Sequence, residues 1–88
     1  MDFDFVEWDS EDDPRGNLRH IADNGLSQDE VEDVIYDPKS LPVQSRSSKR
    51  PALIGQTSTG KTIIVIYERH KEAGNVIIRP VSAYEIEG

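Results

Sequence analysis

Three arginines in the second half of the chain have the chemistry to bind a phosphate. Arg50, Arg69 and Arg79 lie before, at the end of and inside stretches of branched apolar residues. A guanidinium group presents paired N–H donors that match two oxygens of a phosphate or a carboxylate. The alternative is that each arginine pairs with a carboxylate of the acidic helices, and spacing alone favours that interpretation. Whether Arg69 and Arg79 share a face depends on strand register, which the sequence leaves open.

Two side chains in the first half could also act on a nucleic acid. His20 lies at the edge of an apolar helical stripe, and imidazole can exchange a proton near neutral pH. Such a residue is more commonly only a boundary side chain. Trp8 could stack on a base, but in so small a domain we expect it to be part of the core. The second histidine, His70, falls in a predicted turn and is expected to be solvated.

The acidic run at positions 9–13 resembles a metal site in composition only. It lacks the Asp-x-Asp-x-Asp-Gly spacing of a calcium loop, and it is better interpreted as the acidic start of a helix. The chain contains no cysteine, so it has no thiolate ligand, no thiol nucleophile and no disulfide. We therefore expect neither a metal nor a cofactor.

The stretch GQTSTGKT at 55–62 has the spacing of a phosphate-binding loop, G-x-x-x-x-G-K-T. That motif requires a helix directly after the loop. Here the β-branched run TIIVIYE begins at Thr62, and such a run favours a strand. We predict a hairpin turn that ends near Lys61. A chain of 88 residues is also too short for a nucleotide-hydrolysing domain.

The charge is divided unevenly along the chain. Residues 1–33 hold twelve acids and two arginines, a net charge of -10, whereas residues 34–88 hold eight basic and five acidic residues, a net charge of +3. The total of -7 argues against general nucleic-acid binding, although the second half could still bind an anion locally. The length predicts one domain, 1–88, and the absence of a long apolar run predicts a cytoplasmic protein that does not span a membrane.

Local patterns predict two helices followed by a strand meander. The expected elements are a strand over 3–9, helices over 10–25 and 26–38, an irregular strand near 41–46, and strands over 51–58, 62–69 and 75–82. Ser10 is the expected cap of the first helix, with Pro14, which suits only a first turn, as the alternative start of its regular part. Ser27 and Glu30 match a capping box for the second, which Pro38 should end.

This order predicts an α+β fold in which two N-terminal helices pack on one face of a mainly antiparallel sheet of three to five strands. Short connections between the last three strands favour hairpins. Pro80 lacks a backbone donor, which indicates either an edge position or a β-bulge. Bulges are common beside active sites because they change the direction of side chains.

Four motifs, in order along nearly the whole chain, resemble the BrnT family of bacterial toxins, small ribonucleases similar in fold to RelE. FVEWD resembles the family's opening F-x-W-D, and NLRHIADNGLSQDEVEDVIYDP resembles its helix pair. RPALIGQTSTGKTIIVIYER resembles its glycine-containing hairpin, and VIIRPVSAY resembles its final I-R-x-I-[ST]-A-R strand.

The resemblance implies metal-independent RNA cleavage in which the 2′-hydroxyl is the nucleophile. The implied catalytic residues are Arg79, Arg69 and His20. The implied RNA-binding residues are Arg50, Lys61 and Trp8. The resemblance also implies a ribbon-helix-helix antitoxin as the partner in a type II toxin–antitoxin system.

The chain departs from the family pattern at positions that commonly carry positive charge. Asp23 and Asn24 replace a basic pair, and Tyr84 replaces the arginine that closes the last motif. Fewer cations weaken phosphate binding and transition-state stabilisation together. The alternative hypothesis is therefore a non-catalytic relative that binds a basic partner through its acidic helices.

Overall fold

The chain folds into two helices and one five-stranded sheet, and the computed structural model describes residues 2–45 and 49–86. In chain order the elements are β1 (Phe5–Val6), α1 (Asn17–Asp23), α2 (Gln28–Tyr36), β2 (Leu41–Gln44), β3 (Pro51–Gln56), β4 (Thr62–Glu72) and β5 (Asn75–Glu85). The strand order is β1-β5-β4-β3-β2. Only β1 is parallel to its neighbour, β5. The predicted α+β class is confirmed, with a mixed sheet.

The core combines buried apolar side chains of both helices with side chains of one face of the sheet. Leu53 pairs with Val65, which pairs with Ala83, so these buried side chains share that face. The core cluster consists of Ile21, Leu26, Val31, Val34, Ile35, Leu53, Ile63, Val65, Tyr67, Ile78 and Ala83. Burial of these branched side chains is the main favourable term that holds the helices on the sheet.

Helix α2 forms as its local signals predict. The Ser27 hydroxyl accepts a hydrogen bond from the Glu30 backbone N–H at 3.2 Å, and the Ser27 N–H donates to Glu30 Oε1 at 3.1 Å. Leu26 and Val31, expected to pack together around this start, both belong to the core cluster. The helix ends at Tyr36, because Asp37 is extended before the proline that follows it.

Helix α1 is much shorter than the predicted 10–25. Residues 10–16 form turns, in which the Ser10 hydroxyl accepts from the Asp12 N–H at 3.3 Å instead of capping the helix. The helix begins at Asn17, whose N–H donates to Asp9 Oδ2 at 2.8 Å. Gly16 allows this contact, since a Cβ there would lie 2.7 Å from the Asp9 Cβ. A carboxylate eight residues earlier thus acts as the cap.

Strand β1 is limited to Phe5–Val6, instead of the predicted 3–9. Its ladder with β5 ends when the Glu7 N–H donates to the Ile78 carbonyl at 2.8 Å. Before the strand, the Asp4 carboxylate accepts from the Val76 N–H at 2.7 Å, so a side chain replaces the backbone there. The chain then turns toward α1 and leaves the rest of β5 without a strand beside it.

The last three strands form hairpins, as predicted. Ala73 and Gly74 both have positive φ, 52° and 84°, which a two-residue turn of this kind requires, so β4 continues to Glu72. The GQTSTGKT stretch is a hairpin turn and not a phosphate loop, because β4 begins directly at Thr62. β5 extends beyond the expected end to Glu85. The irregular strand expected near 41–46 is β2, which ends at Gln44; position 46 lies outside the described residues.

The opposite face of the sheet carries a row of apolar side chains that lie outside the core cluster. Leu41, Ile54, Ile64 and Tyr84 are paired in one row across β2 to β5 on this face. Leu41 is 65% exposed and Tyr84 is 43% exposed. The two ends of this row are therefore accessible to solvent, and we refer to this side of the sheet as the open face.

Candidate functional site at the bulge of strand β5

Helix α1 lies along the part of β5 that β1 leaves free. The Asn17 side-chain amide donates to the carbonyl oxygens of Pro80 at 2.9 Å and Glu7 at 3.1 Å. The Asn24 side-chain amide donates to the Ala83 carbonyl at 2.9 Å. Two asparagines thus satisfy carbonyl groups that would otherwise need a neighbouring strand. These bonds fix the position of His20, which lies between them on the helix.

A β-bulge interrupts the pairing of β5 with β4 at this same place. Ile66 pairs with Ser82 and Tyr67 pairs with Pro80, so Val81 has no partner residue on β4. Pro80 is a suitable residue here because it has no N–H to donate. The predicted bulge is confirmed, and the edge alternative also holds locally, because β1 pairs with β5 only at Ile77 and Ile78 and Pro80 lies beyond them.

A cleft of about 290 Å³ opens beside the bulge. Its lining residues are Arg15, Gly16, Asn17, His20, Glu68, Arg79, Pro80 and Val81. The cleft therefore brings together a histidine, a carboxylate and two arginines from three separate elements and a loop. His20 is exposed, and its imidazole makes no hydrogen bond with the described residues.

Arg79 is held by two carboxylates of the segment that follows β1. Its guanidinium donates to Asp9 at 2.7 and 3.0 Å and to Glu7 at 3.4 Å. The hydrogen bond from Arg79, with the bond from the Asn17 N–H, lowers the pKa of Asp9 below its usual range. The same bond to Asp9 raises the pKa of Arg79 further. Both groups are therefore charged at any physiological pH.

The acidic partners of Arg79, and the partner Glu68 of Arg50, lie outside the helices, contrary to the sequence-based alternative for these two arginines. Arg50 Nε lies 3.4 Å from Glu68 Oε1, and Glu68 is the residue paired with Arg79 across β4 and β5. His70 Nε2 lies 3.8 Å from Glu7 Oε1. These side chains form a row of alternating charge across the open face of the sheet. Their partial exposure makes each single pair weak.

Three of the candidate site residues lie away from the cleft. Arg69 pairs with Ile78, a core residue, and so points to the face opposite Arg79. Lys61 Nζ lies 3.0 Å from Glu30 Oε2 and donates to the Gly25 carbonyl at 3.2 Å, which ties the β3–β4 turn to α2.

Trp8 is the third of these residues. It packs against the core cluster, and its Nε1 donates to Glu32 Oε2 at 2.8 Å. The expectation that Trp8 is part of the packing is confirmed. Arg50 does not line the cleft, but its ion pair with Glu68 connects it to a residue that does.

Sequence reasoning missed Arg15, Glu68 and the pair Glu7 and Asp9. The strand register places Glu68 opposite Arg79, and no local pattern reveals that pairing. Arg15 lies in the turns that replace the predicted first half of the helix. The repeated carboxylates of the opening segment are the only signal that could have indicated partners for Arg79.

Within 2–45 and 49–86, no three carboxylate, imidazole or thiol side chains are grouped as a metal ion would need. Neither helix in these ranges has the length and apolar composition needed to cross a membrane.

Comparison with known proteins adds no relative. No protein-family model matches the chain, and no curated protein matches it. The resemblance to BrnT toxins therefore stays a prediction.

Proposed function

We propose that the protein is a BrnT-like toxin component of a type II toxin–antitoxin pair, with a RelE-like version of the α+β fold, and that it cleaves RNA at the cleft beside the bulge. One observation carries the proposal. His20 of α1 and Arg79 of β5, which the ordered motifs single out, line the same cleft although 59 positions separate them in the sequence. Arg15 and Glu68 complete the set.

The reaction needs a base, an acid and a cation. The RNA 2′-oxygen attacks the phosphorus and its proton passes to a base, while the bond from phosphorus to the 5′-oxygen breaks and that oxygen receives a proton. The products are a 2′,3′-cyclic phosphate and a free 5′-hydroxyl. Glu68 is assigned as the base and His20 as the acid, because one is a carboxylate and the other an exposed imidazole in the same cleft.

Arg79 and Arg15 are assigned to the phosphate. The described carboxylates use three of the five N–H donors of Arg79, so two donors stay available for a phosphate oxygen. Asp9 and Glu7 hold the guanidinium in place, and this reduces the entropy lost on binding. Their negative charge also weakens phosphate attraction, which is consistent with a slow enzyme.

The test is cleavage of a short RNA by purified protein in the presence of a chelator. Wild type should yield products that end in a 2′,3′-cyclic phosphate. His20→Gln should lower the rate by about 100-fold or more, since general acid–base groups typically contribute that much. His70→Gln is the matched control, because His70 is also an exposed histidine but does not line the cleft. Intact RNA from about pH 6 to 8 together with harmless overexpression would reject the proposal.

A second candidate function is a non-catalytic module that binds a basic partner, such as the arm of a ribbon-helix-helix antitoxin. The specific observation that favours it is the pairing of Arg79 with Asp9 and Glu7. These two carboxylates of the same chain already offset the positive charge of Arg79 in the cleft. It predicts a complex that weakens with salt and no RNA cleavage. A protein that stays monomeric with the product of every neighbouring gene would reject it.

A further inference from the structure

A second cavity, of about 570 Å³, lies between the start of the chain, the end of α2 and the strands β2 to β4. Its lining residues are Phe3, Asp4, Ile35, Tyr36, Asp37, Pro38, Ser40, Pro42, Leu53 and Tyr67. It shares none of them with the cleft at the bulge. A mostly apolar and aromatic lining of this volume is typical of sites that receive a ligand or an anchoring side chain.

The cavity is lined by one tyrosine whose hydroxyl has no hydrogen-bond partner among the described residues. Tyr67 is 6% exposed and lines the cavity, and no described residue forms a hydrogen bond with its hydroxyl. Burial raises the pKa of Tyr67, so the hydroxyl keeps its proton and can donate. No side-chain nitrogen or oxygen of the described residues is both buried and without a partner, so this hydroxyl is accessible from the cavity. An incoming group with an acceptor oxygen would satisfy it.

An acidic surface, which we term the acidic shelf, adjoins this cavity along α2. Its residues are Asp29, Glu32, Asp33, Tyr36, Asp37 and Ser58, and it shares Tyr36 and Asp37 with the cavity. No lysine or arginine lines either the cavity or the shelf. Asp29 and Asp33 are spaced i, i+4 on α2, an arrangement of like charges that costs helix stability, and Asp37 follows directly after the helix.

The shelf carboxylates are oriented but not neutralised. Asp33 Oδ2 accepts from the Ser58 N–H at 2.9 Å and from the Ser58 hydroxyl at 2.8 Å. Glu32 Oε2 accepts from Trp8 Nε1 and from the Gln28 side-chain amide at 3.1 Å. All these donors are neutral, so the shelf keeps its full negative charge. Only a cationic partner can offset that charge.

We infer that the cavity and the acidic shelf together dock a positively charged segment of a partner protein. One aromatic or branched apolar side chain of the segment enters the cavity, and a backbone carbonyl of the segment accepts from the Tyr67 hydroxyl. Its lysines and arginines lie along the shelf. This inference specifies the surface used in the second candidate function and rests on it, whereas RNA cleavage at the separate cleft neither requires nor excludes it.

The probe is a short peptide with lysines and arginines on both sides of one central tryptophan, added to ¹⁵N-labelled protein. Its resonance shifts should centre on Ile35, Tyr36 and Leu53 and should weaken as salt is raised. Two control peptides separate the contributions. Serine in place of the tryptophan removes the anchor, and glutamates in place of the cations reverse the charge, so both should bind more weakly.

Matched protein variants localise the site. Asp29→Lys should weaken binding of the probe peptide about fivefold or more, which corresponds to about 1 kcal/mol. Asp12→Lys makes the same change of charge on an exposed residue outside the shelf, and it should have a smaller effect. Tyr36→Ala should weaken binding, whereas Tyr84→Ala, which removes an exposed tyrosine from the open sheet face, should not.

Each other outcome overturns the inference. Binding that shifts resonances elsewhere rejects this surface but leaves a binding module that uses another one. No binding at millimolar peptide counts against both the surface and the second candidate function. A dimer of this chain that Tyr36→Ala dissociates, or equal binding of a small aromatic cation without a peptide, would show that the occupant is not a partner's basic segment.

Discussion

Two carboxylate–cation contacts of similar length have different surroundings. Lys61 Nζ lies 3.0 Å from Glu30 Oε2, and Arg79 lies 2.7 Å from Asp9 Oδ2. The first pair closes a turn onto a helix and lines none of the cavities described above. The second borders a cleft that also contains a histidine. A cation that is paired inside the fold can thus be purely structural or can remain accessible to a ligand, and the adjoining space decides which.

The difference is also visible in how completely each group is satisfied. Glu30 accepts from Lys61, from Thr59 Oγ1 at 2.6 Å and from the Ser27 N–H at 3.1 Å. These bonds, first that from Thr59, lower the pKa of Glu30 to about 2. Arg79 keeps two donors beyond those used by the described carboxylates. We therefore predict a structural role for Lys61, and Arg79 is the better candidate for binding phosphate.

The largest predicted effect on the free energy of unfolding comes from Asn17, which bonds to the segment whose carboxylates hold Arg79. Asn17→Ala should lower the free energy of unfolding by about 3 kcal/mol, because it leaves the Glu7 and Pro80 carbonyls and the Asp9 N–H without their partner. Urea unfolding measures this change. Asn24→Ala, which removes a single bond to Ala83, should cost only about 1 kcal/mol. Equal losses for the two variants would contradict the view that the Asn17 side chain holds the opening segment, α1 and β5 together.

A smaller effect on the free energy of unfolding is expected from Glu30. Glu30→Gln should cost about 1–3 kcal/mol, since it weakens the capping box and removes the charge that Lys61 faces. Glu11→Gln, at an exposed position, is the control and should be nearly neutral.

The same carboxylate gives a pH dependence. The folded pKa of Glu30, about 2, lies below its ordinary value of 4.5, so the unfolded state binds more protons as the pH falls. Its contribution to stability is complete above about pH 4.5 and is lost toward pH 2. The difference in stability between wild type and Glu30→Gln should therefore shrink as the pH falls through this range. A constant difference would mean that the Glu30 charge is not stabilising.

The smallest effect on the free energy of unfolding is expected from an exposed ion pair within α1. Arg19 Nε lies 3.3 Å from Asp23 Oδ1, and both side chains are more than half exposed. Arg19→Ala should change the free energy of unfolding by less than about 0.5 kcal/mol. A larger loss in urea unfolding would show that exposed ion pairs stabilise this protein as much as the contacts of Asn17 and Glu30 do.

The sequence predicts those parts of the fold whose causes are local. Ser27, Glu30 and Pro38 define α2, and the glycine of the β4–β5 turn marks the hairpin, because caps and turns act over a few residues. The start of α1 was predicted wrongly because its cap, Asp9, lies eight residues before Asn17. A local cap at Ser10 could not be distinguished from such a distant one.

The candidate site was predictable only in part, for a similar reason. The motifs single out His20 and Arg79, which do meet at the cleft. Arg69, immediately after Glu68 in β4, points to the opposite face because side chains alternate along a strand. Glu68 could be found only from the strand register, which is set by the bulge and by contacts between distant segments.

The central claim is that RNA phosphate binds in the cleft beside the bulge. It is tested most directly by adding a short 2′-O-methyl RNA, which cannot be cleaved, to ¹⁵N-labelled protein. The account predicts resonance shifts at His20, Val81 and the side chain of Arg79, with little change at Lys61 or Arg69. Shifts centred on Lys61 or Arg69, or none at millimolar RNA, would contradict it.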